Sequence, residues 1–154
     1  MSITINTKIN GHSVTAMADA STSLLEFLRD ILEMKGSKLC CNTGECGACT
    51  VIYDGKPINS CVTMAADANG AEITTIEGLA DGDKLHPVQQ AFIDTGAVQC
   101  GYCTPGFIMS VKALFDRTKK PTAQDIEEAI SGNICRCTGY NKIVDAIQLA
   151  AQKL

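Results

Sequence analysis

Five cysteines fall within the stretch "CCNTGECGACTVIYDGKPINSC", Cys40 to Cys61, and four more form two tight pairs downstream. Those pairs are Cys100 and Cys103 in "QCGYCTPG" and Cys135 and Cys137 in "GNICRCTGY". Thiolates serve as metal ligands, nucleophiles or disulfide partners, and spacing decides among these roles. Cys41, Cys46 and Cys49 follow C-x4-C-x2-C, and Cys61 comes after eleven more residues. That is the plant-type ligand order of a [2Fe–2S] centre, with the closing cysteine supplied by a later element. Such a centre on four thiolates is negatively charged in both redox states, so its loop must turn backbone N–H groups inward. Gly44, Gly47 and Ala48 suit this, because the glycines reach positive φ and none of the three holds the backbone away by bulk. Structural zinc also accepts four thiolates, but zinc sites usually pair two C-x2-C knuckles, and this loop does not. Cys40 is left over. Adjacent side chains in a loop diverge, and Cys41 has the correct spacing, so Cys40 is expected to be a non-ligand.

The downstream set, C-x2-C followed much later by C-x-C, is unusual. C-x-C brings two sulfurs together only where the chain bends, and Gly132 and Gly139 flank it. Both pairs lie just before expected helix N-termini, at Thr104-Pro105 and near Thr138-Gly139, where free N–H groups and the macrodipole favour a negative charge. Arg136, between two of the cysteines, either adds positive charge or forms a surface ion pair. A disulfide within each pair is the competing reading, and it is disfavoured in a reducing compartment.

Two kinds of element position these cysteines. The first half reads as a mixed sheet. Ile3, Ile5 and Ile9 share one parity of a strand, and Asn10–Ser13, "NGHS", is a hairpin turn. "STSLLEFLRDILE" reads as a helix with a Ser23–Glu26 capping box and Leu24, Leu25, Leu28, Ile31 and Leu32 on one face. "TVIYDGKPI" is a strand entering a turn at Asp54-Gly55, and "AEITTIEGL" is a further strand. The second half reads as four helices. "HPVQQAFIDTG" begins at Pro87 and stops at Gly96, and "TPGFIMSVKALFDR" is capped by Thr104. "PTAQDIEEAISGN" is capped by Thr122 with Asp125, and "TGYNKIVDAIQLAAQKL" runs to the end of the sequence. The expected fold is α+β: a ferredoxin-like β-grasp domain over residues 1–78, then a four-helix bundle over residues 84–154. Glu77–Lys84, with two glycines and several charges, is the expected linker.

The totals narrow the function. The 154 residues carry a formal net charge of −4, with 45% hydrophobic and 19% charged residues. A packed core follows, while nucleic acid and anionic membrane surfaces are disfavoured as partners. No apolar run approaches the roughly 18–20 residues of a bilayer-spanning helix. "MSITINTKING" has neither a basic n-region nor an apolar h-region, so a cleaved signal peptide is not expected and the location reads as cytoplasmic. Nine cysteines in such a chain point to metal or redox chemistry rather than a disulfide scaffold. No G-x-G-x-x-G follows a strand, so no Rossmann-type dinucleotide site is expected. His12 and His86 are isolated and are not read as ligands or bases. Asp125, Glu127 and Glu128 read as a solvated helix face, and Met64 and Met109 as core residues.

With both cysteine sets in view, the sequence resembles the small iron–sulfur subunit of the molybdenum hydroxylases, the family of xanthine dehydrogenase, carbon monoxide dehydrogenase and aldehyde oxidoreductase. The resemblance covers essentially the whole chain through "GSKLCCNTGECGACTVIYDG", Ser60-Cys61, "GAVQCGYCTPGFIM" and "SGNICRCTGYNKIVDA". The pairing of "QCGYCTPG" with "GNICRCTGY" is its most specific part. It implies two [2Fe–2S] clusters, one on Cys41, Cys46, Cys49 and Cys61 and one on Cys100, Cys103, Cys135 and Cys137. It also implies an oxidoreductase whose substrate-converting site lies in another chain, a large molybdenum–pterin subunit. Electrons would pass singly from molybdenum through the helical cluster and then the ferredoxin-like cluster to FAD on a medium subunit, or to another acceptor. Family members place the residue matching Cys137 beside the pterin, and Gln99 is a second expected contact. A free-standing two-cluster ferredoxin and a structural zinc module are the alternatives. The family usually has glycine where this chain has Cys40, which implies a tolerated backbone angle or a slightly shifted turn there.

Overall fold

The computed structural model describes residues 1–153. β1 (Ser2–Ile9) and β2 (His12–Asp19) pair antiparallel. Their turn is Asn10-Gly11, with φ of 50° and 83°. This is the doubly left-handed geometry of a type I′ turn, which Asn-Gly adopts readily and which matches the twist of the flanking strands. Asp54-Gly55 closes the hairpin of β3 (Thr50–Tyr53) and β4 (Lys56–Asn59) in the same way. β5 (Glu72–Thr74) lies between the two hairpins, parallel to β1 and antiparallel to β3, so the sheet order is β2-β1-β5-β3-β4.

One face of the sheet is covered from the segment after β2. The Ser23–Glu26 capping box starts α1 (Leu24–Glu26) as expected, but α1 lasts one turn and widens into a π-helical stretch at Phe27–Ile31. Such widening takes later side chains out of the 3.6-residue period. Phe27 and Leu28 fill the core with Ile5, Ile9, Val51 and Ile73, whereas Ile31, expected on the same face, is exposed. Leu25 turns instead toward Cys49 and Cys61. Met64, expected in the core, is also exposed.

Four helices make up the second half: α2 (Pro87–Asp94), α3 (Thr104–Arg117), α4 (Ala123–Ile130) and α5 (Asn141–Ala151). Pro87 opens α2, and Gly96 ends its turn at φ 67°. The unforeseen cap is His86, whose Nδ1 accepts from the Val88 N–H at 3.3 Å. Thr122 and Asp125 form the expected cap pair on α4. At α3 the expectation is off by one residue, because Cys103 is the cap and Thr104 the first helical residue. Val88, Phe92, Phe107, Ile143 and Ile147 form the helical core. α3 is shared between the halves. One side faces that core, and the other places Met109 and Ala113 on Ile52 of β3. The expected linker contains a 3₁₀ turn at Ile76–Gly78 and a tight Asp81–Lys84 turn. Its Glu77 carboxylate accepts from the Gly36 N–H at 2.7 Å and the Thr75 hydroxyl at 2.6 Å.

Candidate metal centres

The loop between α1 and β3 carries Cys41, Cys46 and Cys49, and the 3₁₀ turn after β4 returns Cys61 to it. The thiols meet in twos. Cys41 neighbours Cys46, and Cys49 neighbours Cys61. Thr43 bonds the Cys41 sulfur through hydroxyl and N–H, the latter at 3.4 Å, and holds its pKa down to about 5. Burial, and then the neighbouring Cys49 thiol, push Cys61 up to about 11. The loop depends on its glycines: Gly44 and Gly47 have φ of 81° and 68°. Asn59 Nδ2 fastens the Gly44 carbonyl at 2.6 Å, and the Ser60 hydroxyl fastens that of Cys49 at 2.7 Å. Cys40 is exposed and its φ is not left-handed, so a side chain is accommodated there without backbone strain.

The downstream cysteines also meet in twos. Cys100 and Cys137 lie with sulfurs 3.6 Å apart at the surface, and Cys103 neighbours buried Cys135. Burial pushes Cys103 up to about 12. At Cys135 burial acts upward too, but Thr138 outweighs it, donating from Oγ1 at 3.0 Å and from N–H at 3.4 Å, and the net shift is downward. The Tyr140 hydroxyl accepts from the Cys135 N–H at 3.0 Å, and its ring stands edge-on to Phe107. Cys103 occupies the N-cap position of α3 without a side-chain capping bond, whereas α5 begins at Asn141, beyond the C-x-C pair. Gln99 is exposed beside Cys100, and Arg136 is exposed. Among the described residues no three His, Cys, Asp or Glu side chains converge as a site for a single metal ion.

Sequence reasoning missed the contacts that join the two loops. The Ile134 N–H donates to the Cys46 carbonyl at 3.0 Å, and Asn133 Nδ2 to the Gly47 carbonyl at 3.0 Å. The Tyr102 hydroxyl donates to the Leu39 carbonyl. Gly106 of α3 sits directly against the Gly47 carbonyl, leaving no room for a Cβ. The only signal for these contacts was composition: glycines and an asparagine beside cysteines, which turn chemistry alone already explained.

Two family models match the chain end to end. Residues 7–78 match the 2Fe-2S iron-sulfur cluster binding domain, and residues 75–148 match the [2Fe-2S] binding domain. The class is therefore a two-domain iron–sulfur protein. The chain is 45% identical to the nicotinate dehydrogenase small FeS subunit of Eubacterium barkeri, over 98% of this chain and 96% of that one. The crystal structure of quinoline 2-oxidoreductase from Pseudomonas putida superposes with a TM-score of 0.94 at 37% identity, covering 98% of this chain and 94% of that chain. Aldehyde oxidoreductase from Desulfovibrio desulfuricans superposes with a TM-score of 0.94 at 42% identity, covering 97% of this chain and 17% of that much longer one. The chain belongs to the iron–sulfur small subunits of the molybdenum hydroxylases. It is the electron-transfer subunit of an oxidoreductase.

Proposed function

We propose that Cys41 with Cys46 and Cys49 with Cys61 each hold one iron of a first [2Fe–2S] cluster, and that Cys100 with Cys137 and Cys103 with Cys135 do the same for a second. The observation that carries this is the pairing of the thiols. A [2Fe–2S] centre takes four cysteines, two on each iron, whereas structural zinc needs four donors around one point. The glycine loop and the Thr43 and Thr138 donors fit a negatively charged group in both sites. Bound there, each cluster supplies reversible one-electron chemistry that the side chains alone lack.

The remaining assignments follow from exposure. Cys100 and Cys137 lie at the surface, while Cys49 and Cys61 are buried. The helical half accordingly docks on the large molybdenum–pterin subunit, with Cys137 and Gln99 toward the pterin, and the other half faces a FAD-binding subunit or another acceptor. The Cys46 carbonyl to Ile134 N–H bond is the link between the two loops along this route. We assign residues 1–78 to a β-grasp domain and 84–154 to a four-helix bundle, and clustered free thiols suit the reducing cytoplasm. No described helix is long and apolar enough to cross a membrane. The relatives named above are called after nicotinate, quinoline and aldehyde, yet they share this fold, so we assign substrate choice to the large subunit.

The test is EPR of the dithionite-reduced chain, with iron and sulfide quantified on the same sample. Two distinct rhombic signals and about four irons per chain are expected for two [2Fe–2S] centres. Zinc without sulfide in anaerobically purified protein would overturn the assignment.

A further inference from the structure

Asn133 is 5% exposed and uses both ends of its amide between the two halves of the chain. Nδ2 donates to the Gly47 carbonyl at 3.0 Å, and Oδ1 accepts from the Ser110 hydroxyl of α3 at 2.8 Å. The same Gly47 carbonyl accepts from the Thr50 N–H at 3.2 Å and the Thr50 hydroxyl at 2.7 Å. One carbonyl is thus gripped from β3 and from the C-x-C loop, while Gly106 of α3 closes on it from a third side. A Cβ on Gly47 would collide with the Asn133 amide and the Gly132 carbonyl. Directly beside this grip lies a backbone bond between the upstream and downstream cysteine loops, from the Ile134 N–H to the carbonyl of Cys46. A backbone bond fixes distance along one line only. The Asn133 amide adds a second line from the neighbouring residue, and two lines fix register.

We infer that Asn133 is a positioning residue for electron passage: through Gly47 and Ser110 it sets the register in which the Cys46 loop docks on the Cys135 loop, and so the coupling between the two redox centres. This rests on the cluster assignment above. Only a primary amide can do the work. A carboxylate at 133 would place an acceptor against the Gly47 carbonyl, and an apolar side chain would remove the cross-loop bond to Gly47 and leave the buried Ser110 hydroxyl without its acceptor.

The experiment compares wild type with Asn133→Asp, Asn133→Leu and Ser110→Ala in the intact cluster-loaded protein, purified in its complex. Low-temperature EPR of the fully reduced protein reads the magnetic splitting between the two centres, and hydrogen exchange reads the Ile134 amide. The expected result is full iron and sulfide content in each variant that folds, with splitting lost or altered and faster Ile134 exchange in both Asn133 variants. Ser110→Ala should give a smaller change of the same kind. If an Asn133 variant shows lower thermal stability but wild-type splitting and wild-type Ile134 exchange, Asn133 is merely structural and the inference fails. If Asn133→Asp does not fold, Asn133→Leu and Ser110→Ala decide in the same way. A wild type without two clusters would instead overturn the cluster assignment, which iron and sulfide content reports separately.

Discussion

Gly106→Ala tests the apposition of the two halves without touching a cysteine. Gly106 is the third residue of α3, and on an ordinary exposed helix the change would stabilise by about 0.5–1 kcal/mol, because alanine loses less backbone entropy on folding. Here the new Cβ would stand 3.0 Å from the Gly47 carbonyl carbon and 3.1 Å from the Ala48 Cα, with the Gly47 oxygen closer still. All three are backbone atoms, so no rotamer change relieves the contact and the loop must move off the helix. Overpacking of this kind costs about 1–3 kcal/mol, and the upper part of that range applies because the neighbour is main chain. Repulsion therefore outweighs propensity by about 1–2 kcal/mol, which for a chain of this size lowers Tm by roughly 2–8 °C. The assay is a thermal scan of cluster-loaded protein at one fixed rate, since cluster loss makes unfolding irreversible. Gly132→Ala is the control. Gly132 has open space and no left-handed φ, so that change should be neutral, or stabilising by up to about 1 kcal/mol. If Gly106→Ala raises Tm alongside Gly132→Ala, the helix does not sit on the loop and the shared interface is wrong.

Two further substitutions separate redox tuning from folding. Thr138→Val removes the hydroxyl bonded to the Cys135 sulfur at 3.0 Å, and hydrogen bonds to cluster sulfurs favour the more negative, reduced state. It should lower the reduction potential of one EPR-distinguishable centre and leave the other unchanged; equal shifts in both, or none, would reject the assignment of Cys135 as a ligand. His86 must be neutral at Nδ1 to cap α2, and burial, then Lys112, lower its pKa from the ordinary 6.5. A lowered histidine pKa gives stability that is present above 6.5 and lost as pH falls through the folded value. His86→Asn keeps a capping oxygen without titrating. Its stability should therefore fall less than wild type on acidification below pH 6.5, and parallel profiles would show that the cap does not titrate.

Much of the fold was legible because its signals are local. Asn10-Gly11, Asp54-Gly55, the Ser23–Glu26 and Thr122–Asp125 boxes and Pro87 each specify their own few residues, and the structure places them where the sequence does. The helix after Ser23 misled because apolar periodicity presumes a constant 3.6-residue step, and the π-helical widening at Phe27–Ile31 breaks that step. The cysteine sets were legible through spacing. What holds them against each other was not: Gly106 and Asn133, the latter held by Ser110, reach Gly47 across 59 and 86 residues of chain, and nothing local marks a glycine that must face another backbone. Likewise His86 reads as a stray histidine until its ring is seen closing a helix end.

The thiol ionisations give the chain a definite preference for how it takes up metal. Cys41, held at about 5 by Thr43, is already a thiolate near neutral pH, while Cys61 at about 11 and Cys103 at about 12 are kept protonated by burial. For Cys41 the depressed value means that its contribution to the metal-free fold is present above 9.0 and lost as pH falls through about 5. For Cys103 the raised value means a contribution present below 9.0 and lost as pH rises through about 12, and Cys61 follows the same rule through about 11. Ligands must be thiolates to bind metal, so loading expels a proton from Cys61 and one from Cys103 throughout the neutral range but none from Cys41. Cluster reconstitution should therefore strengthen steadily from neutral to alkaline pH even though the metal-free fold gains nothing from Cys61 or Cys103 ionising. The same ordering is readable by alkylation. In the cluster-free chain, iodoacetamide followed by mass spectrometry at neutral pH should mark Cys41 before Cys61 and Cys103, and the lead of Cys41 should disappear as pH falls through about 5. Equal labelling of Cys41, Cys61 and Cys103 with one common pH profile would mean that neither Thr43 nor burial sets these thiols apart, and the link from hydrogen bonds to metal uptake would fall with it.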